Sequence, residues 1–242
     1  IISFCVGLFI WLISQNVGAE TVACSSTGDF VVLLHGMGRT SLSMKRMEHF
    51  LTEHGYNVIN VTYRSRRFSV DELAEKHLKH LLESRVIDDG RKVHFVTHSL
   101  GGIIVRQYLS KHKIKNLGRV VMLAPPNHGS EIIDRLRANS ITRNFLGASA
   151  RELGTGADGL PTKLGPVQFP CGVIAGDRSL NPLLSSLLPC PNDGKVTVAS
   201  ARVDGMQGFL VVHGTHTWLM CKQSVMNQTL SFLQSGYFSE PH

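Results

Sequence analysis

Short runs of Val, Ile and Leu alternate with amphipathic stretches along most of this chain, and no other feature restricts its fold as strongly. We predict strands at residues 30–34, 57–63, 92–97, 119–124, 171–175 and 209–212. Apolar residues between them recur at helical spacing, which predicts helices at residues 43–54, 71–86, 100–112 and 217–234. Ser69 or Asp71 is expected to cap the second helix. Apolar strands separated by such helices are typical of βαβ units, so we expect a mostly parallel central sheet with helices on both faces.

Length and composition fit one folded domain of this α/β class. The chain has 242 residues, of which 43% are hydrophobic and 18% charged, and this composition is too apolar for a disordered protein. We assign residues 20–242 to a single α/β domain. The alternation is interrupted at residues 130–168, which hold five glycines and two prolines. An insertion of this kind in an α/β enzyme is a candidate lid or substrate loop.

The N-terminal segment predicts export. Residues 1–13 are almost entirely apolar, and as a helix they span about 20 Å, less than the roughly 30 Å core of a bilayer. Residues 17–19, VGA, provide a signal-peptidase site with cleavage before Glu20. We therefore expect a signal peptide at residues 1–19 and a periplasmic or secreted protein. The alternatives are an uncleaved membrane anchor at the same residues and, with weaker support, a lipoprotein cleaved before Cys24.

Four cysteines follow the predicted cleavage site: Cys24, Cys171, Cys190 and Cys221. They form neither a Cys-x-x-Cys pair nor a zinc-binding spacing. An exported protein can carry disulfides, and Cys171 with Cys190 is the pair to test first. The sequence alone leaves the connectivity open.

The charge of the chain permits an anionic partner without requiring one. The formal net charge is +7, with a local cluster at Arg64, Arg66 and Arg67. Such a cluster favours a membrane surface, although a solvated loop is the simpler interpretation. The sequence contains no dinucleotide-binding turn and no phosphate-binding loop, and His77 and His80, three apart on a predicted helix, are interpreted as part of a solvated face. We expect no cofactor, no metal and no nucleic-acid partner, and the oligomeric state stays open.

Residues 96–102, VTHSLGG, join a predicted strand to a predicted helix, which is the setting of a nucleophile elbow. The strand and the helix pass close together there, so the residues two before and two after the nucleophile must be small. Thr97 and Gly101 occupy these positions around Ser99, and Thr97 departs from the usual glycine. The helix N-terminus also directs its first amide, that of Leu100, at this turn. We predict that Ser99 is a catalytic nucleophile.

The residues HGMG at 35–38 follow the first predicted strand and predict the other half of an oxyanion hole. An acyl-transfer enzyme directs at least two amides at the developing oxyanion. One is expected from Leu100 and the other from Met37, because Gly36 and Gly38 permit the sharp turn that positions it. His35 and Gly36 are expected to support this loop.

A serine nucleophile needs a base and a residue that orients the base, and in this architecture the acid precedes the histidine along the chain. His213 and His216 lie in the loop after the last predicted strand, and we favour His216 because it directly precedes the closing helix. Asp177 follows the strand at 171–175, whereas Asp193 lies further on in an Asn-Asp-Gly turn. Position along the chain and turn type do not decide which of these two carboxylates is the triad acid.

Taken in order, the segments HGMG, HSLGG, APPNHGS, NDGKV and HTWLM resemble those of the α/β-hydrolase lipases and esterases. The resemblance extends over residues 30–234 and implies the α/β-hydrolase fold. It also implies that Asp193 is the acid and His216 the base. His98 is then expected to support the elbow, and residues 126–130 to border the substrate cleft.

Together these residues predict a serine hydrolase that cleaves carboxylic esters through an acyl-enzyme intermediate. We expect an acyl lipid or a small ester as substrate, because the insertion supplies apolar groups for a cleft wall. These groups are Ile132, Ile133, Leu136, Phe145 and Leu146. The alternatives are an acyltransferase or a glycolipid deacylase with the same triad and, less favoured, a binding module without activity.

Overall fold

The computed structural model describes residues 28–86, 89–138, 142, 146–180, 185–186 and 188–240. The predicted signal peptide or anchor, Cys24 and Phe145 lie outside these residues. Within the described part of the chain, no helix combines the length and the apolar character needed to cross a bilayer.

Six parallel strands form the central sheet, in the spatial order β2-β1-β3-β4-β5-β6. Their bounds are β1 Phe30–Leu34, β2 Asn57–Val61, β3 Val93–His98, β4 Leu117–Leu123, β5 Cys171–Gly176 and β6 Gly208–Val212. Each corresponds to a predicted strand, and the predicted parallel α/β architecture is confirmed. The order reverses at β1, whose neighbours are β2 and β3. In an open parallel sheet, such a reversal opens a crevice at the carboxyl ends of the strands.

Helices cover both faces of the sheet. The α-helices are α1 Lys45–Glu53, α2 Val70–Glu72 (continued by a π-helical segment Leu73–Leu78 and an α-helical segment Lys79–Arg85), α3 Leu100–Lys111, α4 Glu131–Ala138, α5 Ala148–Arg151, α6 Leu160–Lys163, α7 Val198–Ala201 and α8 Gln223–Ser235. Short 3₁₀ turns cover Ser41–Met44 and Leu219–Cys221. Side chains alternate along β1, so that Val31 and Leu33 enter the core with α1 and α8, and Val32 and Leu34 enter the core with α2 and α3.

The helices predicted at 43–54, 71–86 and 217–234 begin at other residues in the structure, the first at Lys45 and the second at Val70. Ser69 rather than Asp71 caps α2, because its hydroxyl accepts the amide of Glu72 while the Glu72 carboxylate accepts the amide of Ser69. The closing helix begins at Gln223 and not at residue 217. Lys222 has an extended backbone, with ψ 133°, so the chain turns between the preceding 3₁₀ turn and α8.

The insertion at residues 130–168 contains α4, α5 and α6, although its sequence pattern is weak. Arg106 of α3 holds the insertion against this helix. This buried guanidinium donates to the carbonyls of Pro161 and Gly165, at 3.1 and 2.6 Å, and to the carbonyl and the side-chain oxygen of Asn127, at 3.0 and 3.1 Å. Burial lowers the pKa of Arg106 to about 10, because it removes the charge from water. The four acceptor oxygens partly offset this loss of hydration.

Cys171 and Cys190, the cysteine pair to test first, form no disulfide in the structure. Both are free thiols, as is Cys221. Cys171 lies within β5 and is fully buried, whereas Cys190 is exposed in a loop. Burial raises the pKa of the Cys171 thiol to about 12.

Candidate active site

The predicted site residues lie on loops at the carboxyl ends of four strands. Residues 35–38 follow β1, Ser99 follows β3, Asp177 and Asp193 follow β5, and His216 follows β6. Because all strands are parallel, these ends meet at one edge of the sheet, where the strand order reverses.

Ser99 has a backbone conformation that L-residues rarely adopt, with φ 53° and ψ −119°. Its amide donates to the carbonyl of Leu123 at 2.8 Å, which fixes the turn against β4. Gly101 explains how α3 can follow immediately, since a Cβ there would lie 2.7 Å from the carbonyl oxygen of Leu34. The turn therefore presents Ser99 at the sheet edge, at the N-terminus of α3.

Thr97 is buried in the elbow beside Gly102. Thr97 is fully buried, and its Oγ1 lies 3.5 Å from the carbonyl of Val121. A Cβ on Gly102 would lie 3.4 Å from this Oγ1 and 3.2 Å from the side chain of Pro125. A Cβ on Gly102 would thus be in ordinary contact with Thr97 and in tighter contact with Pro125.

His216 connects Ser99 to Asp193. Its Nε2 lies 3.1 Å from Ser99 Oγ, and its Nδ1 lies 2.7 Å from Asp193 Oδ2. Because an ionised carboxylate only accepts hydrogen bonds, Nδ1 carries the proton and donates it, and the unprotonated Nε2 faces the serine hydroxyl. Both Asp193 and His216 are buried, at 3% and 5% exposure, so water competes little for these bonds.

The Asn-Asp-Gly turn holds the Asp193 carboxylate in place. Its Oδ1 accepts the amides of Lys195 and Val196, at 3.0 and 2.8 Å. The backbone carbonyl of Asp193 accepts the amide of His216 at 3.1 Å. The neighbouring Asn192 side chain accepts the amide of Gly194 at 2.9 Å, which closes the turn. Asp193 is thus held by backbone donors on one oxygen, and its other oxygen is directed at His216.

The two alternative residues, Asp177 and His213, pair with each other. His213 Nδ1 lies 2.7 Å from Asp177 Oδ2, and 76% of the His213 side chain is exposed. The described hydrogen bonds of this pair do not include Ser99. Lys222 donates to the carbonyl of His213 at 2.6 Å, which holds His213 in the loop that leads to His216. The two candidate acids therefore contact different histidines: Asp193 contacts His216, and Asp177 contacts His213.

His98 is buried beneath His216 and holds its backbone. His98 Nε2 donates to the carbonyl of His216 at 2.9 Å, which leaves Nδ1 without a proton. Within the described part of the chain, this Nδ1 has no hydrogen-bond partner, and a Cβ on Gly36 would lie 2.7 Å from it. Burial, reinforced by the neighbouring His216, lowers the pKa of His98 well below its ordinary value. His98 is therefore neutral and serves as a fixed donor.

The HGMG loop is held by Tyr63, which follows β2. Tyr63 donates its amide to His35 Nε2 at 3.2 Å and its hydroxyl to the carbonyl of His35. The two rings stack with centroids 4.0 Å apart. His35 Nδ1 then carries the proton and donates to the carbonyl of Gly36 at 2.8 Å. Burial lowers the pKa of His35, so this ring is also neutral.

The amides of Met37 and Leu100 are available at the site. Neither amide has a hydrogen-bond acceptor among the described residues. Gly38, the next residue in the loop, donates its amide to Ser65 Oγ at 2.9 Å and so fixes the loop beyond Met37. Leu100 is the first residue of α3, whose N-terminus favours negative charge.

A cavity of about 320 Å³ opens beside Ser99 and His216. Its wall is largely apolar and comes from the insertion. The apolar side chains of this wall are Ile132, Ile133, Leu136, Leu146, Ala150 and Leu153. Pro126 and Ser130, from the segment between β4 and α4, complete one side, and Met37 lies at the serine.

Sequence reasoning did not single out Tyr63, Ser65 or Lys195. Tyr63 fell within a predicted strand, and its contact with His35 crosses between two loops that are far apart in the chain. Lys195 stands in the NDGKV segment, but only the folded turn shows that its side chain lines the cavity. Patterns of local spacing do not reveal contacts of this kind.

This fold and sequence define a hydrolase class: the chain belongs to the alpha/beta hydrolase family, whose sequence model matches residues 31–225. No curated protein matches the chain with statistical significance.

Solved structures extend this assignment at the level of the fold. The chain is similar to the Bacillus licheniformis lipase BlEst2 in its propeptide form, with a TM-score of 0.69 and 19% identity over 89% of this chain and 53% of that one. For the mature form the TM-score is 0.66 and the identity 20%, over 87% of this chain and 92% of that one. A metagenomic carboxyl esterase gives 0.64 and 20%, over 79% of this chain and 65% of that one. The chain thus spans about half the length of the propeptide form.

Proposed function

We propose that the protein is a serine hydrolase that cleaves carboxylic esters, with Ser99, His216 and Asp193 as its catalytic triad. One observation carries the proposal. The continuous chain of hydrogen bonds from Asp193 through His216 to Ser99 ends in a largely apolar cavity. A hydroxyl activated in this way attacks an acyl carbon, and the apolar wall is suited to an acyl chain.

The acylation step uses the tautomer that the geometry imposes. Ser99 Oγ bonds to the ester carbonyl carbon while its proton passes to His216 Nε2. The Asp193 carboxylate stabilises the resulting imidazolium without taking its proton. The C–O bond to the alcohol then breaks, and His216 returns the proton to the leaving alkoxide. Water repeats the sequence on the acyl-enzyme, which releases the acid and restores Ser99.

The amides of Met37 and Leu100 stabilise the tetrahedral intermediates. Backbone donors held in advance cost no reorganisation when the oxyanion forms. Loss of one such donor typically raises the barrier by about 3 kcal/mol. Tyr63 donates a hydrogen bond to His35, and Gly36 packs against His98. These contacts keep the loop that carries Met37 in position.

A fluorophosphonate probe tests the nucleophile. We expect the folded wild type to be labelled at Ser99 and to hydrolyse p-nitrophenyl esters, and Ser99→Ala to lose both properties. Turnover by Ser99→Ala would show that another residue is the nucleophile. A folded wild type that resists the probe would refute the hydrolase proposal and leave a binding module.

An ester series defines the reaction further. Rates from acetyl to long-chain esters, with and without a lipid interface, measure how the apolar wall is used. Adding glycerol as a competing acceptor separates hydrolysis from acyl transfer, because transfer yields a new ester instead of the free acid. We expect free acid as the main product.

A further inference from the structure

The HGMG loop is held on both sides of Met37 by one short segment that follows β2. Before Met37, Tyr63 donates its amide to His35 Nε2 at 3.2 Å. After Met37, the hydroxyl oxygen of Ser65 accepts the amide of Gly38 at 2.9 Å. Each residue of a chain of planar peptide groups has only two soft dihedral angles. Hydrogen bonds on both sides of Met37 therefore leave its amide little freedom to change direction.

The same segment is attached on its other side to the insertion. The carbonyl of Ser65 accepts the hydroxyl of Ser149, which belongs to α5. The carbonyl of Arg66 accepts the amide of Ala148 at 2.9 Å. We call residues 63–66 the bridging segment, because they connect the insertion to the HGMG loop.

The two serines of this connection lie outside the cavity. Ser65 is 3% exposed and Ser149 is fully buried, and neither lines the cavity beside Ser99. Their effect on a reaction in the cavity must therefore pass through other groups. Removing either hydroxyl leaves a buried backbone group without its partner, which favours a shift of that backbone.

The position of the Met37 amide matters most in the transition state. Oxyanion-hole donors are strongest where negative charge develops, so a displaced donor lowers kcat more than it raises KM. A displacement on the order of 1 Å near the reacting atoms can lower a rate by about 100-fold. Contacts that fix the HGMG loop therefore act on kcat even when they do not touch the substrate.

Resting on the proposed function, we infer that Ser65 is a positioning residue of the oxyanion hole, and that the insertion holds the Met37 amide in place through Ser149 and Ser65. The insertion then has two roles, since it forms the apolar wall of the cavity and supports the oxyanion hole from outside. Ser65 transfers no proton and contacts no reacting atom. The bonds formed and broken remain those of Ser99, His216 and the ester.

Two single substitutions test the inference. Ser65→Ala removes the acceptor of the Gly38 amide, and Ser149→Ala removes the donor to the Ser65 carbonyl. Glu152 accepts the amide of Val70 at 2.7 Å, so the insertion stays attached to α2 in both variants. With p-nitrophenyl butyrate, we expect kcat to fall about 10- to 100-fold in Ser65→Ala and about 3- to 10-fold in Ser149→Ala, with KM within about twofold. An unchanged kcat in either folded variant, or a loss of kcat/KM that lies in KM alone, overturns the inference.

Butylboronic acid probes the oxyanion hole directly. Its boron bonds to Ser99 Oγ, the serine proton passes to His216, and the tetrahedral adduct places a boronate oxygen where the oxyanion forms. In Ser65→Ala, we expect its Ki to rise by about the same factor as kcat/KM falls. The pH profile of kcat/KM, which reports His216, should keep its position. A constant Ki or a displaced profile would show that the substitution acts on the triad or elsewhere, and the inference fails.

The double variant tests whether Ser149 acts through Ser65. When Ser65→Ala has already released Gly38, adding Ser149→Ala should lower kcat by less than about twofold, because coupled residues are not additive. Losses that multiply independently would overturn the inference.

Thr229→Ala is the matched control for lost stability. It also removes a buried hydroxyl, which donates to the carbonyl of Val225 at 2.8 Å in α8, and this helix does not line the cavity. We expect a lower urea midpoint and an unchanged kcat. A loss of kcat as large as that of Ser65→Ala would attribute both losses to stability and overturn the inference.

The wild type separates failure of the inference from failure of the proposed function. Fluorophosphonate labelling and hydrolysis of p-nitrophenyl butyrate are measured on the same preparations. If the wild type is labelled and active while Ser65→Ala keeps its full kcat, only the inference about Ser65 falls. If the folded wild type resists the probe, the proposed function falls and the inference falls with it.

Discussion

Replacing Asp193 by Asn should disable the site through one misplaced proton. Asp193 Oδ1 faces two backbone donors, at 3.0 and 2.8 Å, so the Asn oxygen must take this position. The NH₂ group of the Asn then takes the place of Asp193 Oδ2, which lies 2.7 Å from His216 Nδ1. Two donors cannot face each other, so His216 moves its proton from Nδ1 to Nε2. In this tautomer, His216 cannot accept the proton of Ser99.

The expected loss follows from this tautomer change. The same exchange of carboxylate for amide in a serine triad lowers kcat by about 10,000-fold, which corresponds to roughly 5 kcal/mol of barrier. The assay is kcat with p-nitrophenyl butyrate, alongside thermal unfolding to verify the fold.

Asp177→Asn is the control for this experiment, since Asp177 makes the same 2.7 Å contact with His213. We expect it to change kcat by no more than about fivefold, as for an exposed ion pair. A larger loss in Asp177→Asn than in Asp193→Asn, or more than about a tenth of the activity in Asp193→Asn, would refute the assignment of the acid.

Three further predictions follow from packing and burial. Gly101→Ala should destabilise the fold by about 1–3 kcal/mol in urea unfolding, because its Cβ meets the Leu34 carbonyl at 2.7 Å; an unchanged midpoint would contradict this. Burial lowers the pKa of His94 to about 4, so its contribution to stability is complete above about pH 6.5 and is lost as the pH falls towards 4. Urea unfolding across this range should show a loss of up to about 3 kcal/mol, and a flat profile would refute it. In the native protein, a maleimide should modify the exposed Cys190 and leave the buried Cys171 untouched, as peptide mass spectrometry would reveal; rapid modification of Cys171 would contradict its burial.

The strand pattern could be predicted because the inner strands β1, β3 and β5 are buried at every residue. Continuous apolar runs such as residues 30–34 leave little choice of structure once helical stretches separate them. The helix that begins at Gln223 was harder to place, because its start depends on the path of the loop that carries His216. That path is set by contacts with Asp193 and His98, which are distant in sequence.

The candidate acids show why a site is harder to predict than a fold. Asp177 and Asp193 both follow β5, and each lies 2.7 Å from a histidine of the same loop. Chain order and residue type are therefore the same for both, and only the three-dimensional path decides which histidine reaches Ser99. The connectivity of the cysteines stayed open for a related reason, since spacing along the chain does not show that Cys171 is buried in the core.

The conformation of Ser99 also bears on how selection has acted on this chain. A non-glycine residue at φ 53° stores about 1–3 kcal/mol of strain, whereas glycine adopts this conformation without a steric penalty. The most stable sequence for this backbone therefore has glycine at position 99, and Ser99→Gly should unfold at a higher temperature than the wild type. A chain selected for stability alone would drift towards that glycine. Under the proposed function, the serine that stands there instead is a physical mark of selection for chemistry.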